Sequence, residues 1–122
     1  MKLLPHKQHL GKIGENLAAS YLQRKGYLLI DRNFKARYGE IDLICTKDNT
    51  LIFVEVKTRI GQTYGKPEEA VTARKLAEVV KTAQYYVSTH TGLPEAQRID
   101  VVAIEMATDN KIVSFRHLES VT

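Results

Sequence analysis

The chain has a single cysteine and lacks both long apolar runs and nucleotide-binding loops. A transmembrane helix needs about 20 consecutive apolar residues, and the apolar runs here are far shorter, so neither a membrane span nor a signal-peptide core is predicted. One cysteine cannot form an internal disulfide, which favours a cytoplasmic protein. The phosphate-cradling Gly-x-x-x-x-Gly-Lys motif, the dinucleotide fingerprint and a Ser/His/Asp constellation are also missing, which argues against a nucleotide-driven machine.

A length of 122 residues predicts one domain spanning 1–122. Apolar periodicity and turn-forming residues predict an α/β fold, with helices packed across a small mixed sheet in the order α-β-β-β-α-β-β. The predicted elements are a helix from about Leu10 to Arg24, strands Tyr27–Phe34, Gly39–Cys45 and Thr50–Thr58, a helix from about Thr72 to Thr89, and strands Arg98–Ile104 and Lys111–Arg116.

The segment from Arg59 to Pro67 is predicted to be a loop because Gly61, Gly65 and Pro67 interrupt it. A plain surface connection is the first interpretation of this loop. A substrate flap is the alternative, because the loop directly follows Lys57.

Three charged residues, Asp42, Glu55 and Lys57, lie at the ends of two strands that otherwise have buried-strand composition. Removing such groups from water costs several kcal/mol each unless they are paired, hydrogen-bonded or bound to a metal. Such a cost indicates a functional site. The alternative is a solvated ion pair between Glu55 and Lys57, which contributes less than about 1 kcal/mol.

A hairpin through Lys47–Thr50 predicts that the two strands pair antiparallel. Because side chains alternate along a strand, Glu40 and Asp42 are expected to share one face of their strand, and Glu55 and Lys57 one face of the neighbour. The opposite face is assigned to Ile41, Leu43, Val54 and Val56. The hairpin register decides whether the two acidic faces coincide, and the sequence leaves it open.

If the faces coincide, Asp42 and Glu55 offer oxygen ligands to one divalent cation, and oxygen-only ligation favours Mg²⁺ or Mn²⁺. Zinc is not predicted because Cys45 is alone and the four histidines are scattered. Two carboxylates leave coordination positions open for water and substrate, as in the hydrolysis of phosphate esters.

Asp42 followed by Glu55-Val56-Lys57 resembles the bipartite signature of the restriction-endonuclease-like, or PD-(D/E)xK, nuclease superfamily, with Ile41 where the motif has proline. Over nearly the whole chain, four segments together resemble the YraN-like family of bacterial proteins: Gly11–Glu15, Asn33–Phe34, Tyr38–Ile44 and Phe53–Arg59. Archaeal Holliday-junction resolvases are similar in the order of their acidic residues. The resemblance implies a restriction-endonuclease-like fold.

On this interpretation Asp42 and Glu55 are the metal ligands. Lys57 orients or deprotonates the attacking water or stabilises charge on the phosphorane. Glu15 is a further catalytic acid that forms a hydrogen bond with a metal-bound water or with Lys57. The alternative is that Glu15 only stabilises its helix, because a negative charge in the first turns interacts favourably with the positive end of the helix. Glu40 and Gln84 are possible supporting residues. Glu40 has simple exposure as its alternative, and Gln84 is similar to a Gln…Tyr motif of RecB-like nucleases, whose tyrosine position holds Ser88.

The net charge of +4 favours a polyanionic partner, because acids gathered in one pocket leave a strongly basic rim. The predicted contacts to nucleic acid are Lys12, Arg37, Arg59 and Tyr64. Further candidates for phosphate contacts are Arg32, Lys35, Lys66, Arg74, Lys75 and Lys81, and Tyr38 is a further candidate for stacking. Each has a solvated surface position as its alternative.

The resemblance to these nucleases and junction resolvases therefore implies an endonuclease that hydrolyses DNA, in preference to RNA, with branched or flapped intermediates as candidate substrates. The alternative is a binding module for nucleic acid or protein on the same fold with little catalysis. A homodimer is allowed by the resemblance to junction resolvases, and no membrane partner is expected.

Overall fold

The computed structural model describes residues 7–61 and 66–122. Its elements are α1 (Lys7–Arg24), β1 (Leu28–Ala36), β2 (Gly39–Lys47), β3 (Thr50–Ile60), a 3₁₀ turn (Pro67–Ala70), α2 (Ala73–Thr89), β4 (Ala96–Met106) and β5 (Ile112–Leu118). The predicted α/β class and the order α-β-β-β-α-β-β are confirmed. Within the described ranges, no helix combines the length and apolarity that a bilayer span requires.

The strands form one mixed sheet in the order β1-β2-β3-β4-β5, with β3 and β4 parallel and the other neighbours antiparallel. A parallel pair needs a crossover connection, and α2 supplies it between β3 and β4. The α1 side of the core includes Leu43 and Val54, whereas Ile44 and Phe53 belong to the α2 side. The two helices therefore cover opposite faces of the sheet.

The hairpin between β2 and β3 fixes the register that the sequence left open. Asp48 and Asn49 both have positive φ, at 50° and 57°, which is the conformation of a two-residue type I′ turn. Lys47 pairs with Thr50, and the same register places Leu43 opposite Val54. The ladder ends at this pair, and Asp42 and Glu55 are the next residues of the two strands beyond it.

The predicted alternation of β2 is wrong at Ile41. Leu43 lies on the α1 side with Val54, as expected, but Ile41 joins Ile44 and Phe53 in the core beneath α2. The cause is a break in regular pairing, because the ladder with β3 ends at Leu43 while the ladder with β1 continues to Gly39. Asp42 lies at this break.

The predicted loop begins too early, because β3 continues through Ile60. Its parallel ladder with β4 pairs Arg59 with Glu105 and Ile60 with Met106, so main-chain hydrogen bonds hold this segment as a strand. Arg59 therefore belongs to the sheet. Tyr64, predicted to contact nucleic acid, lies outside the described residues.

A buried polar network centred on Asp100 joins β4 to β5 and the C-terminal segment. The Asp100 side chain is fully buried and accepts hydrogen bonds from Arg98 Nε (3.1 Å) and from the main-chain N–H of Ser120 (3.1 Å), and its Oδ2 lies 2.8 Å from His117 Nε2. Burial alone favours the protonated acid, but these hydrogen bonds hold the Asp100 pKa below its ordinary value. Asp100, His117 and Glu119 come close enough to hold a cation. The guanidinium of Arg98 already forms an ion pair with the Asp100 carboxylate, so the charge of Asp100 is neutralised without a metal.

We expect Asp100→Asn to lower the free energy of unfolding by about 3 kcal/mol at pH 7, because it leaves Arg98 without its buried partner. A depressed pKa contributes stability above the unfolded value near 3.8 that is lost as the pH falls through the lower folded value. Urea denaturation at pH 7 and pH 3 should therefore show a smaller difference between variant and wild type at pH 3. Equal loss at both pH values, or no more loss than in the exposed control Glu95→Gln, would contradict this account.

Candidate metal centre

Asp42 and Glu55 form a buried pair of carboxyl groups where the β2–β3 ladder ends. Asp42 is 9% exposed and Glu55 is 7% exposed. Asp42 Oδ2 accepts a hydrogen bond of 2.7 Å from the main-chain N–H of Val56, which anchors this carboxylate to β3. Glu55 Oε2 is buried and has no hydrogen-bond partner among the described residues. An oxygen in that state can serve as a ligand for a cation.

The pKa of Glu55 is raised to about 9, first because burial penalises the ionised form. The hydrogen bond and the negative charge of Asp42 raise this pKa further, whereas the charge of Lys75 lowers it. Without a cation, Glu55 therefore holds a proton at neutral pH. A bound divalent cation favours the ionised form of both acids and would displace that proton.

Glu15 reaches the same site from α1. Burial raises the pKa of Glu15, and the charges of Asp42 and Glu40 raise it further. Arg32 and Lys12 lower it. Glu40 also raises the pKa of Glu55, so its charge acts on both acids. Glu15 and Glu55 therefore each lie within electrostatic range of both Asp42 and Glu40.

Gly14 brings α1 close enough for this arrangement. A Cβ atom at Gly14 would overlap the Thr58 hydroxyl of β3, so only glycine fits without a shift. The Thr58 hydroxyl is itself buried and, within the described ranges, has no hydrogen-bond partner. The close approach of helix and strand at this point positions Glu15, the next residue of α1.

We expect Gly14→Ala to lower the free energy of unfolding by about 1–3 kcal/mol, because the added methyl group pushes α1 away from Thr58. Gly11→Ala is the matched control, since its Cβ would meet nothing within 4 Å. There the gain in helix propensity should raise stability by about 0.5–1 kcal/mol. Thermal denaturation of both variants measures these opposite signs, and a stabilising Gly14→Ala would show that the close approach is not required.

Two cations border the acids. Lys57 is half-buried, follows Glu55 by two residues on β3 and pairs with Ala103 in the ladder to β4, so strand alternation places it on the same face as Glu55. Lys75 lies in the first turn of α2, where its N–H donates to the Thr72 side chain (3.2 Å). Lys75 is a predicted phosphate contact, but its proximity to Glu55 was not predicted, because it arises only when α2 folds back across the sheet.

The remaining predicted residues differ in exposure and in the groups that they contact. Lys12 is exposed and close enough to Glu15 to affect its pKa. Arg59 is half-buried, and its Nε is buried without a hydrogen-bond partner in the described part of the chain. Arg37 is exposed, with its guanidinium 5.8 Å from the centre of the Tyr38 ring. Gln84 is exposed on α2 and lines a groove with Tyr38 and Tyr85.

Comparison with known proteins gives consistent matches. The model of an uncharacterised protein family, UPF0102, matches residues 14–104. A UPF0102 protein of Syntrophomonas wolfei is 52% identical over 98 residues, which are 80% of this chain and 84% of that protein. A relative from Caldanaerobacter subterraneus is 41% identical over 81% of each chain. One from Caldicellulosiruptor saccharolyticus is 35% identical over 94% of this chain and 98% of its own.

Proposed function

The chain belongs to the uncharacterised protein family UPF0102, and from the geometry of its carboxylate centre we propose that it is a Mg²⁺- or Mn²⁺-dependent endonuclease that hydrolyses phosphodiester bonds in DNA. The family is the YraN-like family that the sequence resembles. The observation that carries the proposal is the buried Asp42–Glu55 pair with the unpartnered oxygen of Glu55.

The donor set fits a small hard cation. Both proposed ligands are carboxylates, and further carboxylates from Glu15 and Glu40 lie in the surroundings. Such oxygen-only surroundings suit Mg²⁺ or Mn²⁺ better than zinc. A divalent cation at this point would polarise a phosphate oxygen and acidify water.

Four side chains around the proposed cation site have separate proposed roles. Asp42 is held in place by the Val56 N–H, so its orientation is fixed before substrate binds. We assign to Lys57 the role of orienting the attacking water or stabilising negative charge on the phosphorane oxygens. We assign to Glu15 the role of accepting a hydrogen bond from a water molecule in the site. The positive charge of Lys75 beside Glu55 favours approach of a phosphate group to otherwise repulsive acids.

A nucleic acid is the proposed substrate class because of the charge distribution, and the resemblance to junction resolvases favours DNA. The net charge is +4 although at least four acids gather in the centre, so the rest of the chain carries a clear excess of basic residues. Basic residues around an acidic centre neutralise the phosphates that flank the reacting one. We propose branched or flapped DNA as the preferred form.

A cleavage assay tests the proposal. Purified protein is incubated with labelled linear, flapped and four-way-branched DNA in Mn²⁺, in Mg²⁺ and in EDTA. Cleavage that requires the cation and falls to background in Asp42→Asn is the expected result, with Glu95→Gln as a charge-matched, exposed control. Cleavage that persists in EDTA or in Asp42→Asn would reject the assignment, as would intact substrate under every metal condition.

A further inference from the structure

A groove along α2 carries two exposed aromatic rings. It has a volume of about 400 Å³ and is lined by Tyr38, Lys81, Gln84, Tyr85 and Ser88, here called the tyrosine groove. Tyr38 is 45% exposed and Tyr85 is 47% exposed. Nothing in the proposed chemistry at Asp42 and Glu55 uses these side chains. Two aromatic surfaces left open to solvent next to a lysine are typical of a base-stacking site.

The Tyr85 ring is held in place from below. It stacks on Phe34, with ring centres 6.2 Å apart and an angle of 29° between the planes. Phe34 in turn meets the buried Tyr86 edge to face at 4.9 Å. One face of Tyr85 therefore rests on an aromatic column that leads into the core, and a ring fixed in this way loses little conformational entropy when a ligand stacks on it.

Positive charge surrounds the second ring. The Arg37 guanidinium carbon and the Lys81 Nζ each lie 5.8 Å from the centre of the Tyr38 ring. A nucleotide offers both a flat base and an anionic phosphate, so these cations complement its charge while the rings complement its base. Gln84 adds an exposed amide, and the Ser88 hydroxyl, which donates to the Tyr85 carbonyl at 2.7 Å, keeps its oxygen as an acceptor.

The tyrosine groove is connected to the carboxylate centre by α2 and β2. Lys75 of α2 lies near Glu55, and the helix rises about 9 Å from Lys75 to Lys81 and about 15 Å to Tyr85. Tyr38 immediately precedes the strand that carries Glu40 and Asp42. A DNA strand advances about 3.4 Å per nucleotide when stacked. The groove is therefore only a few nucleotides from the proposed reaction centre.

We infer that the tyrosine groove binds an unpaired base of a single-stranded DNA segment adjoining the bond that is cut. The inference rests on the proposed function and specifies its substrate. Stacking on a protein ring requires a base whose face is free, and duplex bases already stack on their neighbours. A flap or a branched junction supplies such a base, whereas a blunt linear duplex does not.

Binding of fluorescein-labelled oligothymidine in EDTA tests the groove independently of cleavage. Tyr38→Leu and Tyr85→Leu should each weaken binding about fivefold or more, because each removes a stacking ring. Tyr38→Phe, which keeps the ring, should bind within about twofold of wild type, and no variant should change binding to a blunt duplex by more than that. Wild-type binding by both leucine variants would overturn the inference, as would equal losses on duplex and single strand.

The salt dependence of oligothymidine binding can be compared between two lysine variants, Lys81→Ala and Lys47→Ala. Lys81→Ala should reduce the slope of log K against log salt by about 0.7, the contribution of one phosphate contact in a single strand. Lys47 also lies over a tyrosine, 4.6 Å from the ring centre of Tyr27, but at the β2–β3 hairpin. Lys47→Ala should leave the slope unchanged. Equal slopes for the two variants would remove Lys81 from the binding surface and overturn its assigned role.

If a leucine variant is too unstable to test, fluorescence from a tryptophan at position 85 can report binding at the groove directly. The chain has no tryptophan, so Tyr85→Trp introduces a single tryptophan, at the groove, whose emission can be excited separately from that of the tyrosines. Its emission should be quenched by oligothymidine and unaffected by a blunt duplex, and an emission that ignores oligothymidine would refute stacking. Oligouridine with the same ring dependence would support the groove and identify RNA as the source of the base. Failure here with intact metal-dependent cleavage overturns the groove alone, whereas loss of the cleavage result overturns the proposed function.

Discussion

Glu55→Gln is expected to make the metal-free protein more stable at pH 8 while abolishing both Mn²⁺ binding and metal-dependent cleavage. Glutamine matches the shape of the protonated acid and donates an N–H to Asp42, but it cannot ionise. At pH 8 the folded protein has to keep Glu55 protonated although the unfolded chain ionises it, and glutamine removes this cost because it is neutral in both states. We expect a gain of about 2 kcal/mol or more in the free energy of unfolding, measured by urea denaturation in EDTA.

The stability of the metal-free wild type should depend on pH because the pKa of Glu55 is raised in the folded state. The folded pKa of Glu55, about 9, lies above its ordinary value of 4.5, so the folded protein binds the proton that the unfolded chain releases between these values. Wild-type stability should therefore fall as the pH rises from about 4.5 to about 9, and Glu55→Gln should remove most of that fall. The two proteins should have similar stability near pH 4.5. A glutamine variant that is less stable than wild type at pH 8 would contradict a raised pKa of Glu55 in the folded protein.

Lys57→Met is expected to reduce kcat for DNA cleavage about 100-fold or more while leaving Mn²⁺ binding in place. Methionine keeps the apolar stem of the side chain but removes the charge that is proposed to orient water or to stabilise the phosphorane. Single-turnover cleavage of a flapped substrate measures the rate, and calorimetric titration of Mn²⁺ measures the binding.

Lys111→Met is the matched control for this substitution, because Lys111 is an exposed lysine after β4. It should cleave at the wild-type rate. A Lys57→Met variant that cleaves as fast as this control would take Lys57 out of the chemistry. One that loses Mn²⁺ as well as activity would indicate a role in holding the site together instead.

The acidic centre was predictable because its signals are local. Strand composition around Asp42 and Glu55, and turn-forming residues between them, predict an antiparallel hairpin in which two costly charges come near each other. The register itself depends on Asp48 and Asn49 both adopting positive φ, which the sequence permits without requiring. Glu15 was expected from the order of acidic residues, and its approach depends on the small side of Gly14 facing Thr58.

Other features depend on long-range pairing and could not be predicted from local patterns. Ile41 changes side because the ladders to β1 and β3 end at different residues of β2. Arg59 is held in β3 by β4, a strand about 40 residues further along the chain. Lys75 and Tyr38 are predicted contacts, but the proximity of Lys75 to Glu55 and of Tyr38 to Tyr85 arises from the direction in which α2 crosses the sheet. Periodicity predicts the buried side of this helix but not which of its exposed residues border Glu55.

The most direct test of the central claim is a titration of the metal-free protein with Mn²⁺, followed by the loss of the free-ion electron paramagnetic resonance signal. The proposed centre predicts saturable binding by wild type and by Glu95→Gln, and none at the same concentrations by Asp42→Asn or Glu55→Gln. Equal uptake of Mn²⁺ by all four proteins, or by none, would show that these two carboxylates do not form a cation site.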